Sequence, residues 1–165
     1  MPRNGGAGEA GDARYPVVMP GPEGPELSWR LEHGRPDPAN PGLYAALDYR
    51  YAADTGNGFG AIASLGGALL RTGRWYVFEQ HTRCNTFTGG VANADGVAEV
   101  WLNGHLVFAS SKVKWNAKAS SMIEKFFINL YHGGMGFPKR NIHYRLAKLA
   151  RSTTRIGIPR ELLRT

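Results

Sequence analysis

Two triplets in the first third of the chain carry groups suited to acid–base chemistry on an anion. Ser28-Trp29-Arg30 places a hydroxyl and a guanidinium at positions i and i+2. In a strand, such residues share one face. Tyr49-Arg50-Tyr51 places two phenols side by side in the same way. Arg holds a carboxylate through two parallel hydrogen bonds. A Tyr exchanges protons when nearby positive charge lowers its pKa. Together these groups supply what β-elimination from a uronic acid needs. One neutralises the carboxylate and acidifies the C5 proton, one removes that proton, and one protonates the leaving glycosidic oxygen. The same spacing also suits two ordinary amphipathic strands with aromatic surface residues.

Two further clusters have binding character. Glu79, His81 and Arg83 alternate along one strand face, opposite Tyr76, Phe78 and Cys84. The aromatic set reads as core, so the charged set is expected to line a groove for an acidic sugar chain, or a plain solvent face. Asn129, Tyr131 and His132 precede Gly133-Gly134, where glycine allows a ligand close to the backbone. This stretch reads equally as a glycine turn that closes a core strand. No metal site is expected, because Glu79 and His81 find no matching ligand pair.

The elements that must position these residues are strands. Residues 75–85 alternate at period 2, and residues 97–102 form a second alternating run closed by Asn103-Gly104. Asn-Gly between apolar runs is a strong hairpin signal, since both residues tolerate positive φ. Residues 106–108 are expected to pair back. Further strands are expected over residues 27–32 and 43–51. Residues 33–42, with three prolines, read as a loop, and residues 61–70 as a short strand and turn broken by Gly66-Gly67. Residues 123–131 read as a core strand and residues 155–158 as a final extended piece. Residues 141–150 fit either an amphipathic helix, with Ile142, Leu146 and Leu149 on one stripe, or a strand. Residues 1–24 are expected to be irregular, and residues 25–165 to form one domain.

Composition supports many short strands. The 165 residues include 22 Gly and 10 Pro. No apolar run is long enough to span a membrane, and no signal peptide is visible. The single cysteine, Cys84, excludes an internal disulfide and reads as a buried, inert thiol. The net charge of +7 is unevenly placed. Residues 1–110 hold 8 Lys+Arg against 11 Asp+Glu, and residues 111–165 hold 12 against 2. That asymmetry suits a polyanion. Lys112, Lys114 and Lys118 around Trp115 also offer charge beside a stacking platform for nucleic acid. No nucleic-acid module is recognised, so nucleic acid is not the expected partner.

Four pieces taken in order resemble the polysaccharide lyase family 14 domain, with a similar relation to family 20. GRWYVFEQHTRCNT at residues 73–86 resembles the family's Gly-x-Trp strand ending in Asn-Thr. ADGVAEVWLNGHLVF at 94–108 resembles its Asp-Gly to Asn-Gly hairpin. FFINLYHGG at 126–134 resembles its Phe-rich strand, and RIG at 155–157 its closing motif. The resemblance implies an all-β fold, a concanavalin-like jelly-roll β-sandwich. It implies a lyase that cleaves an acidic polysaccharide such as alginate or glucuronan by β-elimination, outside the cell and without a cofactor. It assigns Arg30 to the substrate carboxylate, Tyr49 and Tyr51 to proton transfer, and Ser28 to a positioning hydrogen bond. The chain departs from the family in three ways. Ala7 stands where the family has a lysine, the family's first strands find no counterpart, and Arg145 replaces an acidic residue. A non-catalytic binder of acidic glycan is the alternative expectation.

Overall fold

The computed structural model describes residues 13–14, 27–37, 39–55, 60–121, 123, 126, 128, 131–132 and 143–160. Among them are ten strands and no α-helix: β1 (Ala13–Arg14), β2 (Ser28–Pro36), β3 (Leu43–Tyr51), β4 (Ala61–Arg71), β5 (Phe78–Arg83), β6 (Phe87–Thr88), β7 (Val91–Ala92), β8 (Gly96–Leu102), β9 (His105–Val113) and β10 (Tyr131–His132). All pairings are antiparallel. One sheet has the order β10-β1-β2-β3-β4, a second has β5-β8-β9, and β6-β7 form a small hairpin.

The core lies between the two larger sheets. Ala46 of β3, Leu65 of β4 and Val100 of β8 pack with Trp29, Leu31, Val107 and Phe108. Ala98, Val113 and Trp115 meet Ala52 and Leu27 in a second cluster. Trp115 is completely buried, and its Nε1 donates to the Val97 carbonyl at 2.9 Å. It is therefore a core residue, and the nucleic-acid stacking platform expected of it does not exist.

The expected hairpin is present. Leu102 pairs with His105 across Asn103 (φ 49°) and Gly104 (φ 80°), both left-handed as a two-residue turn requires. β3 has the expected bounds. β2 runs further than expected, through Pro36. Its register shifts between His33 and Pro36, which lets a proline sit in the strand without breaking the ladder. The loop shrinks to residues 37–42, where the Asp37 carboxylate accepts from the backbone of Ala39 and Asn40.

Residues 61–70 belong to one long strand rather than a short strand and turn. Gly66 and Gly67 both take positive φ inside it, and the register with β3 shifts between Ala45 and Leu47. A Cβ on Gly66 would stand 2.8 Å from the Val107 carbonyl oxygen, so the missing side chain lets β4 approach β9 of the other sheet.

Of residues 123–131, expected to form a core strand, Ile123, Phe126 and Ile128 are exposed and lie outside any strand, Tyr131 enters β10, and residues 124, 125, 127, 129 and 130 lie outside the described residues. The run mixes charges with apolar residues on both alternating positions, so neither face is consistently apolar. Residues 143–150 form neither helix nor strand, and Leu146 and Leu149 are exposed. Ile142 lies outside the described residues. Ala13 and Arg14, within the segment expected to be irregular, pair with β10 and β2.

Candidate functional site

Register brings the four proposed catalytic residues together. β2 and β3 pair Ser28 with Tyr51 and Arg30 with Tyr49. Directly paired residues share a face. The alternate positions, Trp29, Leu31 and Ala46, point into the core between the sheets. Period-2 geometry thus sends packing to one side of β2 and β3 and chemistry to the other.

The Tyr49 and Tyr51 hydroxyls are hydrogen-bonded at 2.8 Å. The Arg30 guanidinium carbon lies 5.1 Å from the Tyr49 ring centroid and 5.2 Å from that of Tyr51, a double cation–π contact. Arg30 is 6% exposed, yet it has no carboxylate partner among the described residues, and its Nε has no hydrogen-bond acceptor. The buried Ser28 hydroxyl also has no hydrogen-bond partner among the described residues. Among the described residues the contacts of this buried guanidinium are the two tyrosine rings, an arrangement that an incoming anion would strengthen.

Burial pushes the Tyr49 phenol up to about 12, and its hydrogen bond to Tyr51 pushes the same way. This corrects the expectation that positive charge would lower it. Arg30 does oppose the shift, but desolvation at 5% exposure outweighs it. The Gly60 backbone N–H beside the Tyr49 oxygen also opposes the shift. Gly60 is packed so closely that a Cβ there would stand 2.9 Å from the Tyr49 ring. Tyr51 is the more exposed of the two phenols.

Glu79, His81 and Arg83 lie on β5, on the face of the second sheet that points away from the core, and they do not join this cluster. His81 Nδ1 donates to Glu99 Oε2 at 2.7 Å, and Arg83 donates to the Asp95 carbonyl at 2.9 Å. Glu79 is engaged by the C-terminal segment. Its carboxylate accepts from the backbone N–H of Ile156 at 2.7 Å and of Gly157 at 3.2 Å. Arg155 lies 4.7 Å over the Trp101 ring and donates to the Gly104 carbonyl. The RIG motif is therefore a strap across the outer face of β5 and β8 rather than a strand. On the opposite face Phe78 is partly exposed, and Tyr76 and Cys84 are only partly buried. β8 supplies the core residues that β5 was expected to provide. Burial pushes the Cys84 thiol up.

Asn129 lies outside the described residues. Tyr131 and His132 form β10, and register aligns Tyr131 with Arg14 and, through it, with Glu32 of β2. This puts them in the same sheet as Arg30, two strands away.

Two other polar features had no local sequence signal. His33 bonds the Tyr144 hydroxyl and stacks on its ring at a centroid distance of 5.8 Å, while Tyr44 meets His33 edge-on at 5.4 Å. Burial lowers the His33 pKa. Asp48, buried between the sheets, accepts from Trp29 Nε1 at 3.3 Å. Among the described residues, no three His, Cys, Asp or Glu side chains converge on a common point where a metal would sit. Compared with protein-family models, curated proteins and solved structures, the chain matches none.

Proposed function

We propose that the chain is a polysaccharide lyase with a jelly-roll β-sandwich fold that acts outside the cell on a uronic-acid polymer such as alginate or glucuronan. The observation that carries this reading is Arg30. Its buried guanidinium, with no carboxylate partner among the described residues, stands beside two hydrogen-bonded phenols.

The roles follow from the geometry. Arg30 takes the uronate carboxylate and spreads the charge that develops when the C5 proton leaves. Tyr49 carries a phenolic proton that burial holds in place, and its oxygen is hydrogen-bonded to that of Tyr51. Tyr49 keeps that proton at neutral pH and acts as a positioning residue. Tyr51 accepts the proton from C5 as the general base. The electron pair forms the C4–C5 double bond, the C4–O4 bond breaks, and Tyr51 returns the proton to the departing O4. The Ser28 hydroxyl is left to bond a substrate oxygen.

The test is the ultraviolet absorbance of the 4,5-unsaturated product formed from alginate blocks, glucuronan and heparin. A rise with wild type that Arg30→Ala and Tyr51→Phe abolish is the expected result. Full-rate cleavage by both variants would overturn the assignment.

A second reading, a non-catalytic binder of acidic glycan, is favoured by one observation. Lys112, Lys118, Arg145 and Arg151 are all exposed on a segment with few acids. It predicts salt-sensitive retention on an alginate column without product.

A further inference from the structure

We propose that Ile62 forms the floor of a neighbouring sugar subsite, so that the polymer crosses the first sheet from β2 towards β4. This rests on the uronate reading of the Arg30 face.

Ile62 pairs directly with Tyr49, which pairs with Arg30. The three therefore form a row on one face of three adjacent strands, spanning roughly 10 Å at the usual strand spacing. The row has a graded character. Its β2 end is a guanidinium, its middle is the Tyr49 phenol, and its β4 end is aliphatic. Exposure separates the β4 end from the other two. Arg30 and Tyr49 are more than nine-tenths buried, whereas Ile62 is 43% exposed. β4 is the last strand of its sheet among the described residues, so no further strand closes that end of the row.

A lone exposed isoleucine needs no explanation on an ordinary surface. Position singles this one out, because it continues the row of Arg30 and Tyr49, beside the reacting Tyr51. A pyranose ring presents a patch of C–H groups, and an aliphatic side chain covers such a patch without demanding hydrogen bonds. A sugar bound through its carboxylate at Arg30 and reacting at Tyr51 would place the next residue of the polymer over β4. Ile62 contributes apolar area there and touches no reacting atom. Its loss should fall on KM and Kd rather than on kcat.

The test compares wild type, Ile62→Ser and Ile62→Leu on glucuronan, on poly-mannuronate and on their short oligomers. Cleavage rates and equilibrium binding are both read. Ile62→Ser should raise KM and Kd for polymer about three- to tenfold with kcat near wild type. Ile62→Leu should restore both, and the shortest oligomers should not distinguish the variants. If Ile62→Ser matches wild type on polymer while Arg30→Ala loses binding, the subsite is wrong and the Arg30 site stands. A loss that Ile62→Leu fails to rescue, or that appears equally on the shortest oligomers, also overturns the subsite. Wild type that neither binds nor cleaves any of these polymers overturns the Arg30 reading and the subsite with it.

Discussion

Trp29 donates its indole N–H to the Asp48 carboxylate at 3.3 Å, across the β2–β3 pair and between the two sheets. That bond satisfies one carboxylate oxygen; the other has no hydrogen-bond partner among the described residues. Burial raises the Asp48 pKa, with Arg50 and Trp29 opposing. A carboxyl raised in the folded state holds its proton more tightly there than in the unfolded chain. Its contribution is most favourable below the ordinary aspartate range and is lost as pH rises through the folded value. Asp48→Asn keeps an acceptor for Trp29 and removes the charge. It should raise Tm by a few degrees at neutral pH and lose that advantage in acid. Thermal melts followed by circular dichroism at the two pH values check this.

Tyr49 offers the opposite end of the pH scale. Its phenol is pushed from 10.0 up to about 12. The folded protein therefore binds a proton that the unfolded chain releases between those values, so stability contributed by Tyr49 falls as pH rises from about 10 to 12. Absorbance titration of phenolate in the folded protein should show a step near 12 that Tyr49→Phe deletes. Urea melts across that window should show a shallower alkaline decline in the variant. On cleavage, Tyr51→Phe should cost about 10²- to 10⁴-fold in kcat, and Tyr49→Phe less, since it acts through Tyr51.

The two phenol oxygens are 2.8 Å apart on one face of the sheet. A proton taken and returned there serves an elimination whose hydrogen and leaving group lie on the same side of the sugar ring. D-glucuronate and D-mannuronate present H5 and O4 in that relation, and L-guluronate does not. Glucuronan and mannuronate blocks should therefore be cleaved at least tenfold faster than guluronate blocks, a difference of about 1.4 kcal/mol in barrier. Equal rates on the two alginate blocks would contradict a single-sided site.

Glu79 holds the strap through two backbone N–H groups, and Arg155 covers Trp101, which is 8% exposed. Glu79→Ala leaves both donors without the carboxylate, at a cost of about 1–3 kcal/mol. Trypsin should cut after Arg155 faster than in wild type, and Trp101 fluorescence should shift to the red. If neither changes, the strap is held by something other than Glu79.

The parts of this molecule that could be read from sequence are those whose cause is local. Asn103-Gly104 announces its turn because positive φ is a property of those two residues. Ser28 and Arg30, and likewise Tyr49 and Tyr51, announce a shared face because alternation is built into a strand. Their meeting across β2 and β3 needed only the right register. Other features depend on partners distant in the chain. Ile156 meets Glu79 across 77 residues and Tyr144 meets His33 across 111, and neither end carries a pattern that names the other. Pro36 misled because proline usually ends a strand, and only the register shift beside it shows why this one does not. The Tyr49 pKa misled because the charge of Arg30 is visible in sequence, whereas the desolvation that outweighs it is not.

Alternation along β2 and β3 has a genetic consequence. Trp29, Leu31 and Ala46 face the core, while Ser28, Arg30, Tyr49 and Tyr51 gather on the other side. Inserting or deleting one codon within either strand would carry hydroxyls and guanidinium into the core and turn the indole outward. Folding and chemistry would fail in the same event, so selection for one guards the strand register that the other needs. Length changes between the strands are expected to be tolerated at residues 37–42, where the chain turns and no ladder must be kept in step.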